Sequence, residues 1–152
     1  DIQSRPLGQM RFIFAVAPHH PLAQASEPLT DAVLQPHRVV AVADSGPRAS
    51  ALTLGILGGQ DVLPVHSVRA KLDAQLRGLG CGFLPENLAR PYVDTGRLVE
   101  RRVQRHERLV SPQYAWRASP GARGQGRALQ WWLQQLQSAT TRAALLNAQQ
   151  SH

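Results

Sequence analysis

The sequence predicts an α/β fold in one domain, because its length, its hydrophobic content and the order of its segments agree on that class. The chain has 152 residues, and 43% of them are hydrophobic, which is enough to build a buried core. Short apolar runs alternate with amphipathic segments along the chain. That alternation favours strands and helices in turn and predicts a mainly parallel sheet flanked by helices.

The predicted strands are short apolar runs that end at proline, glycine or polar residues. The clearest is "RFIFAVA", which combines β-branched and aromatic residues and ends at Pro18. The intervening "PHHPLAQASEPL" is predicted to be a loop. Strands are expected in residues 11–17, 37–44, 61–67, 81–85, 96–103 and 111–119.

The strongest helix signal begins at Ser67. Its hydroxyl can accept a hydrogen bond from a free N–H group of the first helical turn, and Gly78 can take the left-handed conformation that ends a helix. Between and just beyond them, apolar residues recur at three- or four-residue steps: Val68, Leu72, Leu76 and Leu79. These features predict a helix that packs this stripe into the core.

Three further helices are predicted from weaker signals. Thr30 caps a short helix that Pro36 stops, and residues 86–90 begin another that Pro91 interrupts. One long amphipathic helix is predicted from residue 127 to about residue 146. Its expected apolar stripe is Leu129, Trp132, Leu133, Leu136, Thr140 and Ala143.

The chain is strongly basic, with a formal net charge of +7 and a pI near 11.2, which raises the question of a phosphate or nucleic-acid partner. All basic residues except Lys71 are arginines, and one segment holds Arg97, Arg101, Arg102, Arg105 and Arg108. Aromatic residues that could stack on bases make up only 5% of the chain, and none falls in this segment. We therefore predict a solvated strand and loop there, with no direct contact to DNA.

Residue types for catalysis or metal binding are sparse. Cys81 is the single cysteine, so an internal disulfide and a multi-cysteine zinc site are excluded. Cys81 could act as a nucleophile with His66 and Asp73, but a small cysteine between two glycines is more often a buried packing residue. The neighbours His19 and His20 lack the spacing of metal ligands on one element. We predict no enzymatic activity, no metal and no cofactor.

Targeting and membrane signals are also sparse. The sequence contains no run of eighteen apolar residues, and its first residues lack the basic-then-apolar order of a signal peptide. The expectation is a soluble, cytoplasmic chain without a membrane partner.

Two loops have the features of ligand-binding corners. In α/β sheets, ligands gather beyond the carboxyl ends of strands, where the free N–H groups of helix starts favour anions. One candidate loop is "ADSGPRAS", with Ser45 and Gly46, and the other is "VHSVRA", with His66, Ser67 and Val68. For Ser67 the alternative is a helix cap that needs no ligand. For the glycine-rich "GLGCGFLP" the alternative is a tight turn after the helix.

Four phrases follow one another in a recognisable order: "FIFAVAPHHPLA", "PLTDAVLQPHRVVA", "VHSVRAKLDAQLRGLGCGFLPENLARPYVDTGRLV" and "YAWRASPGARGQGRALQWWLQQL". Together they resemble the effector-binding region of LysR-type transcriptional regulators over nearly the whole chain. The most specific parts are residues 17–23 and the run "GLGCGFLPENLA", which is followed by "GRLV".

The resemblance implies a fold like that of type-two periplasmic binding proteins, in which two lobes of sheet flanked by helices enclose a small-molecule cleft. It implies one complete lobe, hinge strands, and the C-terminal helix of a second, incomplete lobe. Residues 1–24 would hold the first crossover strand (11–17) and the hinge, and residues 25–108 the complete second lobe. Residues 109–152 would hold the return crossover strand (114–118) and the C-terminal helix of the incomplete first lobe.

The resemblance also implies a function. A small, anionic effector such as a carboxylate would change how a homo-oligomer grips promoter DNA through an N-terminal winged helix-turn-helix, which would precede residue 1 and makes the chain an expected fragment. The effector-binding candidates are Pro18, His19, Ser45, Gly46, His66, Ser67, Val68 and Phe83. The main alternative is a solute-binding lobe of a transport system, which shares the fold, and a third is a fragment that pairs with a partner through an exposed edge or apolar surface.

Overall fold

The computed structural model describes residues 1–43, 56–105, 108–118 and 126–148, and these hold eight strands and five α-helices. The strands are β1 (Ile2–Pro6), β2 (Met10–Val16), β3 (Val39–Val42), β4 (Val62–Val65), β5 (Gly82–Pro85), β6 (Val99–Arg101), β7 (Arg108–Val110) and β8 (Gln113–Arg117). The α-helices are α1 (Asp31–Leu34), α2 (Val68–Leu76), α3 (Glu86–Asp94), α4 (Arg127–Gln135) and α5 (Ala139–Ala148). A 3-10 turn at Pro21–Ala23 lies in the segment predicted to be a loop.

The chain divides into two units, one of residues 11–108 and one of residues 1–10 and 109–152. In the larger unit, β2 lies between β5 and β6 and is antiparallel to both, so that Phe14 is opposite Phe83 on one side and Arg101 on the other. The strands β3 and β4 form a parallel pair, and a bridge between Val39 and Cys81 joins β3 to the segment that leads into β5.

The prediction of a mainly parallel sheet is right for β3 and β4 and wrong for β2. A parallel connection needs a crossover, usually a helix, between the two strands. The chain enters the larger unit along β2 directly from residues 1–10, so no helix of this unit precedes the strand and sets its direction. The order of strand and helix signals in a sequence does not contain this information.

Side chains from the two faces of the β2 sheet form two separate core clusters. Alternation along the strand sends Phe14 and Val16 to one cluster and Ile13 and Ala15 to the other. The first cluster also contains Leu22, Ala23, Leu29, Leu34, Cys81 and Phe83. The second also contains Leu72, Leu84, Leu88, Ala89 and Leu98. Helices α2 and α3 therefore cover one face, and the 3-10 turn and α1 contribute to the other.

Helix α2 forms as predicted, with one error at its end. The Ser67 hydroxyl accepts a hydrogen bond from the Ala70 N–H at 3.0 Å, and Gly78 has a φ of 73°. Leu72 is buried as expected, but the prediction that Leu79 belongs to the buried stripe is wrong, because this side chain is 50% exposed. The helix ends at Leu76, and the left-handed turn at Gly78 takes the chain off the helical path before Leu79.

A buried glutamine fastens α2 to the sheet. The Gln75 amide nitrogen donates hydrogen bonds to the carbonyl oxygens of Ala15, at 2.8 Å, and Gly82, at 3.1 Å. These two residues are paired across β2 and β5. One side chain therefore ties the helix to both strands.

Helix α3 runs through Pro91 to Asp94, so the prediction that Pro91 interrupts it is wrong. A proline inside a helix removes one backbone hydrogen bond. Two features oppose that loss: Leu88 and Ala89 are buried, and Arg90 forms ion pairs with Glu86, at 2.6 Å, and with Glu100, at 3.0 Å. Tertiary contacts thus outweigh a local helix-breaking signal.

In the smaller unit, β1 and β8 pair antiparallel, with Ile2 opposite Arg117. Sequence analysis predicts β8 but not β1, whose side chains are exposed and lack an apolar pattern. The predicted long C-terminal helix is instead two helices, because Arg142 donates hydrogen bonds to the carbonyl oxygens of Leu136 and Gln137, where α4 ends, and the next helix starts after Ser138. The predicted apolar stripe is not buried along α4, in which no described side chain is buried.

Among the described residues, no helix combines the length and the apolar character needed to cross a membrane.

Candidate functional site

A cavity of about 240 Å³ lies within the larger unit, against strand β2. Four arginines and one glutamate line it together with apolar residues. The lining residues are Arg11, Phe12, Ile13, Phe14, Pro28, Phe83, Glu100, Arg101, Arg102, Val103 and Arg105. We call it the arginine cavity.

Three phenylalanines form half of the apolar lining of the arginine cavity. Phe12 and Phe14 are two residues apart on β2, which puts their side chains on the same face of the sheet. Phe14 meets Phe83 of β5 edge to face, with ring centroids 5.3 Å apart and an interplanar angle of 79°. Of the predicted effector-binding residues, Phe83 is the one that lines this cavity.

Three of the four arginine side chains are held by acidic residues from the segment before α1 and from its start, and the fourth, Arg11, pairs with Glu86 of α3 at 3.4 Å. Glu27 lies 3.4 Å from an Nη of Arg101 and 3.2 Å from Nε of Arg102, and Asp31 lies 3.0 Å from Nε of Arg105. The backbone N–H of Arg102 donates to Glu27 at 3.0 Å and, with the guanidinium groups of Arg102 and Arg101, holds the pKa of Glu27 below its usual value. One carboxylate thus serves two guanidinium groups.

Arg101 is the most buried of these cavity arginines, with 15% of its side chain exposed. One Nη donates to the carbonyl oxygen of Ala25, and the other is near Glu27. Its Nε is buried and has no hydrogen-bond partner among the described residues. A buried donor without an acceptor is uncommon in a folded protein and calls for an explanation.

The prediction that the arginine-rich segment is a solvated strand and loop is wrong for two of its members. The side chains of Arg101 and Arg105 are 15% and 23% exposed, and both pair with acids from residues 27–31. Arg97 is exposed and lies over the ring of Tyr92, at 5.1 Å, and the side chain of Arg102 is 76% exposed.

The second candidate site is the start of α2, where three predicted residues follow β4. His66 is exposed, Ser67 caps the helix, and Val68 begins it. The N–H groups of Val68 and Arg69 donate to no other described residue. This is the arrangement in which a helix start can receive an anion. Ser45 and Gly46, the other predicted corner, lie outside the described residues.

Pro18 and His19 are exposed after β2, and His19 lies at the opposite end of α2 from His66. A methyl group in place of the Gly78 hydrogen would come within 2.2 Å of the His19 Nε2, so the imidazole packs against that glycine. The neighbouring His20 is buried, and its Nδ1 accepts a hydrogen bond from the Leu22 N–H at 3.1 Å. Burial, with the nearby His37 and His19, lowers the pKa of His20, which favours the neutral form that this bond requires.

The predicted residues that the structure describes therefore do not meet at one place. Helix α2 has nine residues, or about 13 Å at 1.5 Å per residue, and it separates His66 from His19. Val68 packs on the cluster that contains Leu72 and Leu84, whereas Phe83 belongs to the cluster on the other face of the sheet. Sequence analysis missed the arginine cavity, although the alternate placing of Phe12 and Phe14 was a visible signal.

Cys81 is a packing residue, as sequence analysis favoured. The side chain is buried, and its thiol donates to the carbonyl oxygen of Arg38 at 3.3 Å. Burial raises the pKa of the thiol to about 11, so it is protonated at neutral pH and lacks the thiolate that a nucleophile needs.

A family model described as the LysR substrate binding domain matches residues 1–141. The chain belongs to this family. The LysR-type resemblance found in the sequence is thereby confirmed. The chain is 33% identical over 126 residues to YeeY of Escherichia coli K12, an uncharacterized HTH-type transcriptional regulator, across 83% of this chain and 40% of that protein. It is 31% identical over 144 residues to the probable HTH-type transcriptional regulator YhaJ of the same organism, across 90% and 44%.

These curated relatives are more than twice as long as the part of them that the LysR-family chain spans. Among solved structures, ArgP from Mycobacterium tuberculosis is similar with a TM-score of 0.65 and 21% identity, over 94% of this chain and 46% of that one. LysG from Corynebacterium glutamicum, solved with bound effector Arg, gives 0.60 and 22% over the same shares. These similarities support the predicted type-two periplasmic-binding-protein-like α/β fold.

Proposed function

We propose that this LysR-family chain is the effector-sensing part of a cytoplasmic transcriptional regulator. A small anionic metabolite, such as a carboxylate, binds between two lobes and shifts the population of their arrangements. In a homo-oligomer this shift changes how an N-terminal winged helix-turn-helix binds promoter DNA. The HTH-type relatives support this function over the alternative of a solute-binding lobe for transport, and over an enzyme.

The proposal that the effector is anionic depends on the start of α2. Two N–H groups without an acceptor among the described residues point to a negative partner, and a helix start favours an anion by about 0.3–1 kcal/mol. Because β3 and β4 are parallel neighbours, their carboxyl ends meet at one edge, which supports including Ser45 and Gly46 with His66, Ser67 and Val68. The position of His19, beyond the other end of α2, does not support a contact of Pro18 and His19 with the same ligand.

Two substitutions of Ser67 separate capping from anion binding. Asp and Asn cap helices about as well as Ser does, so Ser67→Asp and Ser67→Asn both keep the fold. Ser67→Asp places a carboxylate beside the proposed anion and is expected to weaken binding of an effector carboxylate by about tenfold or more, whereas Ser67→Asn leaves it within about threefold. Isothermal titration of the chain with a panel of aliphatic carboxylates, each paired with its amide, measures this.

The proposed anion site at the start of α2 is wrong if a carboxylate binds the Ser67→Asp variant as tightly as it binds the original chain. It is also wrong if each amide binds as well as its acid, because the helix start then makes no use of charge. Thermal unfolding of both variants checks that the cap is intact.

The proposed regulation of DNA binding is tested on the natural protein, purified at its natural length. Genomic DNA fragments that this protein retains at low salt are expected to change their affinity or footprint when the carboxylate found above is added. A typical coupling of 1–3 kcal/mol corresponds to a change of roughly 5- to 150-fold. Fragments retained identically with and without the carboxylate contradict regulation by this ligand.

A further inference from the structure

We propose that the arginine cavity is a second ligand site, separate from the proposed anion site at the start of α2, and that it takes a small carboxylate with an aromatic ring.

The position of the cavity makes it a separate site. Phe12, Phe14 and Phe83 face away from α2, since Val68 and Leu72 of that helix pack on the opposite face of the same sheet. A ligand on the phenylalanine face therefore has the sheet between itself and the first turn of α2.

The polar wall of the cavity selects for a negative group. The four lining arginines and Arg90 carry five positive charges, and the four carboxylates paired with them leave one positive charge in excess. The Nε of Arg101 is buried behind this wall without an acceptor among the described residues, so a ligand in the cavity meets the outer part of the guanidinium groups. A ligand carboxylate is a strong acceptor for such N–H groups, because both partners are charged and the guanidinium is planar.

The apolar wall selects for a ring. The edge-to-face pair of Phe14 and Phe83 presents aromatic surface on which a further ring can pack with favourable geometry. Phe12, Pro28 and Val103 extend this surface. A volume of 240 Å³ is that of about eight water molecules at ~30 Å³ each, which suits a single ring with a carboxylate. A polyhydroxylated ligand of the same size would leave hydroxyl groups against phenylalanine without partners.

The test uses benzoate as the probe, with the neutral benzamide and the ringless acetate as comparisons. Benzoate is expected to bind the chain at least about tenfold more tightly than either, as judged by isothermal titration. In a ¹H–¹⁵N spectrum tuned to arginine side chains, the Nε–H signal of Arg101 is expected to shift on saturation with benzoate and to stay in place with acetate at the same concentration.

Substitutions that remove one arginine charge inside the cavity are compared with a substitution that removes one outside it. Arg101→Gln and Arg105→Gln each remove one lining guanidinium and are expected to weaken benzoate binding by about tenfold or more, since a hydrogen bond to a charged group is lost. Arg77→Gln removes the same charge from an exposed position on α2, where the side chain is 70% exposed, and should leave binding unchanged. If Arg101→Gln fails to fold, Arg105→Gln and the Arg101 signal of the original chain still decide the matter.

The Ser67→Asp variant distinguishes the arginine cavity from the proposed anion site at the start of α2. Undiminished benzoate binding in Ser67→Asp, with loss in Arg105→Gln, supports a separate cavity site. Loss in Ser67→Asp with no change in Arg105→Gln overturns the cavity proposal and leaves the proposed function standing. Equal binding of benzoate and benzamide, or no binding of benzoate, also overturns the cavity proposal, while the aliphatic panel continues to test the proposed anion site.

Discussion

Replacing Lys71 by methionine is expected to stabilise the chain at pH 7 by about 3 kcal/mol. The Lys71 side chain is buried on α2, and its ammonium makes no hydrogen bond or ion pair with another described residue. Burial lowers the pKa of Lys71 to about 8 from 10.5, with the nearby Cys81 acting in the opposite direction. At about 1.36 kcal/mol for each pKa unit, the charged form destabilises the fold by roughly 3 kcal/mol.

The pH dependence gives the sign of this effect. Between pH 8 and about 10.5 the unfolded chain holds a proton on Lys71 that the folded chain has lost, so this residue makes stability rise with pH. The advantage of Lys71→Met should therefore be full below pH 8 and shrink towards zero by about pH 10.5. Cys81 has a raised pKa, which has the opposite effect in this range, and the Lys71 charge partly offsets that rise. The contribution of Cys81 therefore cancels between the two chains only at the lower pH values, where its thiol is protonated in both.

Urea unfolding of the two chains at pH 7, 9 and 10.5, with a reductant present, measures the difference. Arg77→Met removes an exposed charge from the same helix and serves as the control, with a difference from the original chain that does not vary with pH. A Lys71→Met advantage that stays constant from pH 7 to 10.5 would show that the Lys71 ammonium is not desolvated in the folded chain.

Replacing Leu84 by alanine is expected to lower the free energy of unfolding by about 2–5 kcal/mol. Leu84 is fully buried on β5, in the cluster under α2 and α3, and truncation removes apolar contacts and leaves a cavity. The loss is a large part of the 5–15 kcal/mol that stabilises a typical domain. Leu79→Ala is the matched control, since this half-exposed leucine should cost less than about 0.5 kcal/mol.

Denaturant midpoints of the Leu79→Ala and Leu84→Ala variants show whether Leu79 is buried, as the sequence pattern predicts, or half-exposed, as in the structure. The pattern places Leu79 on the buried stripe, whereas the structure places it in solvent. Equal losses for Leu79→Ala and Leu84→Ala would contradict the exposure of Leu79.

Local signals explain what could be predicted from the sequence. The Ser67 cap, the Gly78 turn and the apolar run of β2 each depend on a few neighbouring residues, and all three are observed. Local signals failed where distant contacts decide. Helix α3 continues through Pro91, where the burial of Leu88 and Ala89 and the ion pair of Arg90 with Glu100, which lies beyond the helix, oppose the loss of one backbone hydrogen bond.

The same distinction between local and distant contacts applies to the two candidate sites. The start of α2 can be predicted because one hydroxyl and the next three residues define it. The arginine cavity could not be predicted, since Glu27 and Arg102 are 75 residues apart and meet only when the segment before α1 pairs with the segment after β6. The sequence marks the arginines as a charged run, but their partners are set by the tertiary fold.

Gln75 connects helix α2 to two neighbouring strands of the sheet. Its amide nitrogen donates hydrogen bonds to the carbonyl oxygens of Ala15 and Gly82. The neighbouring residues Phe14 and Phe83 line the arginine cavity on the opposite face of the sheet. A tilt of α2 must either drag those strands along or break both bonds of the amide. Two hydrogen bonds from one side chain thus tie the position of α2 to the positions of β2 and β5.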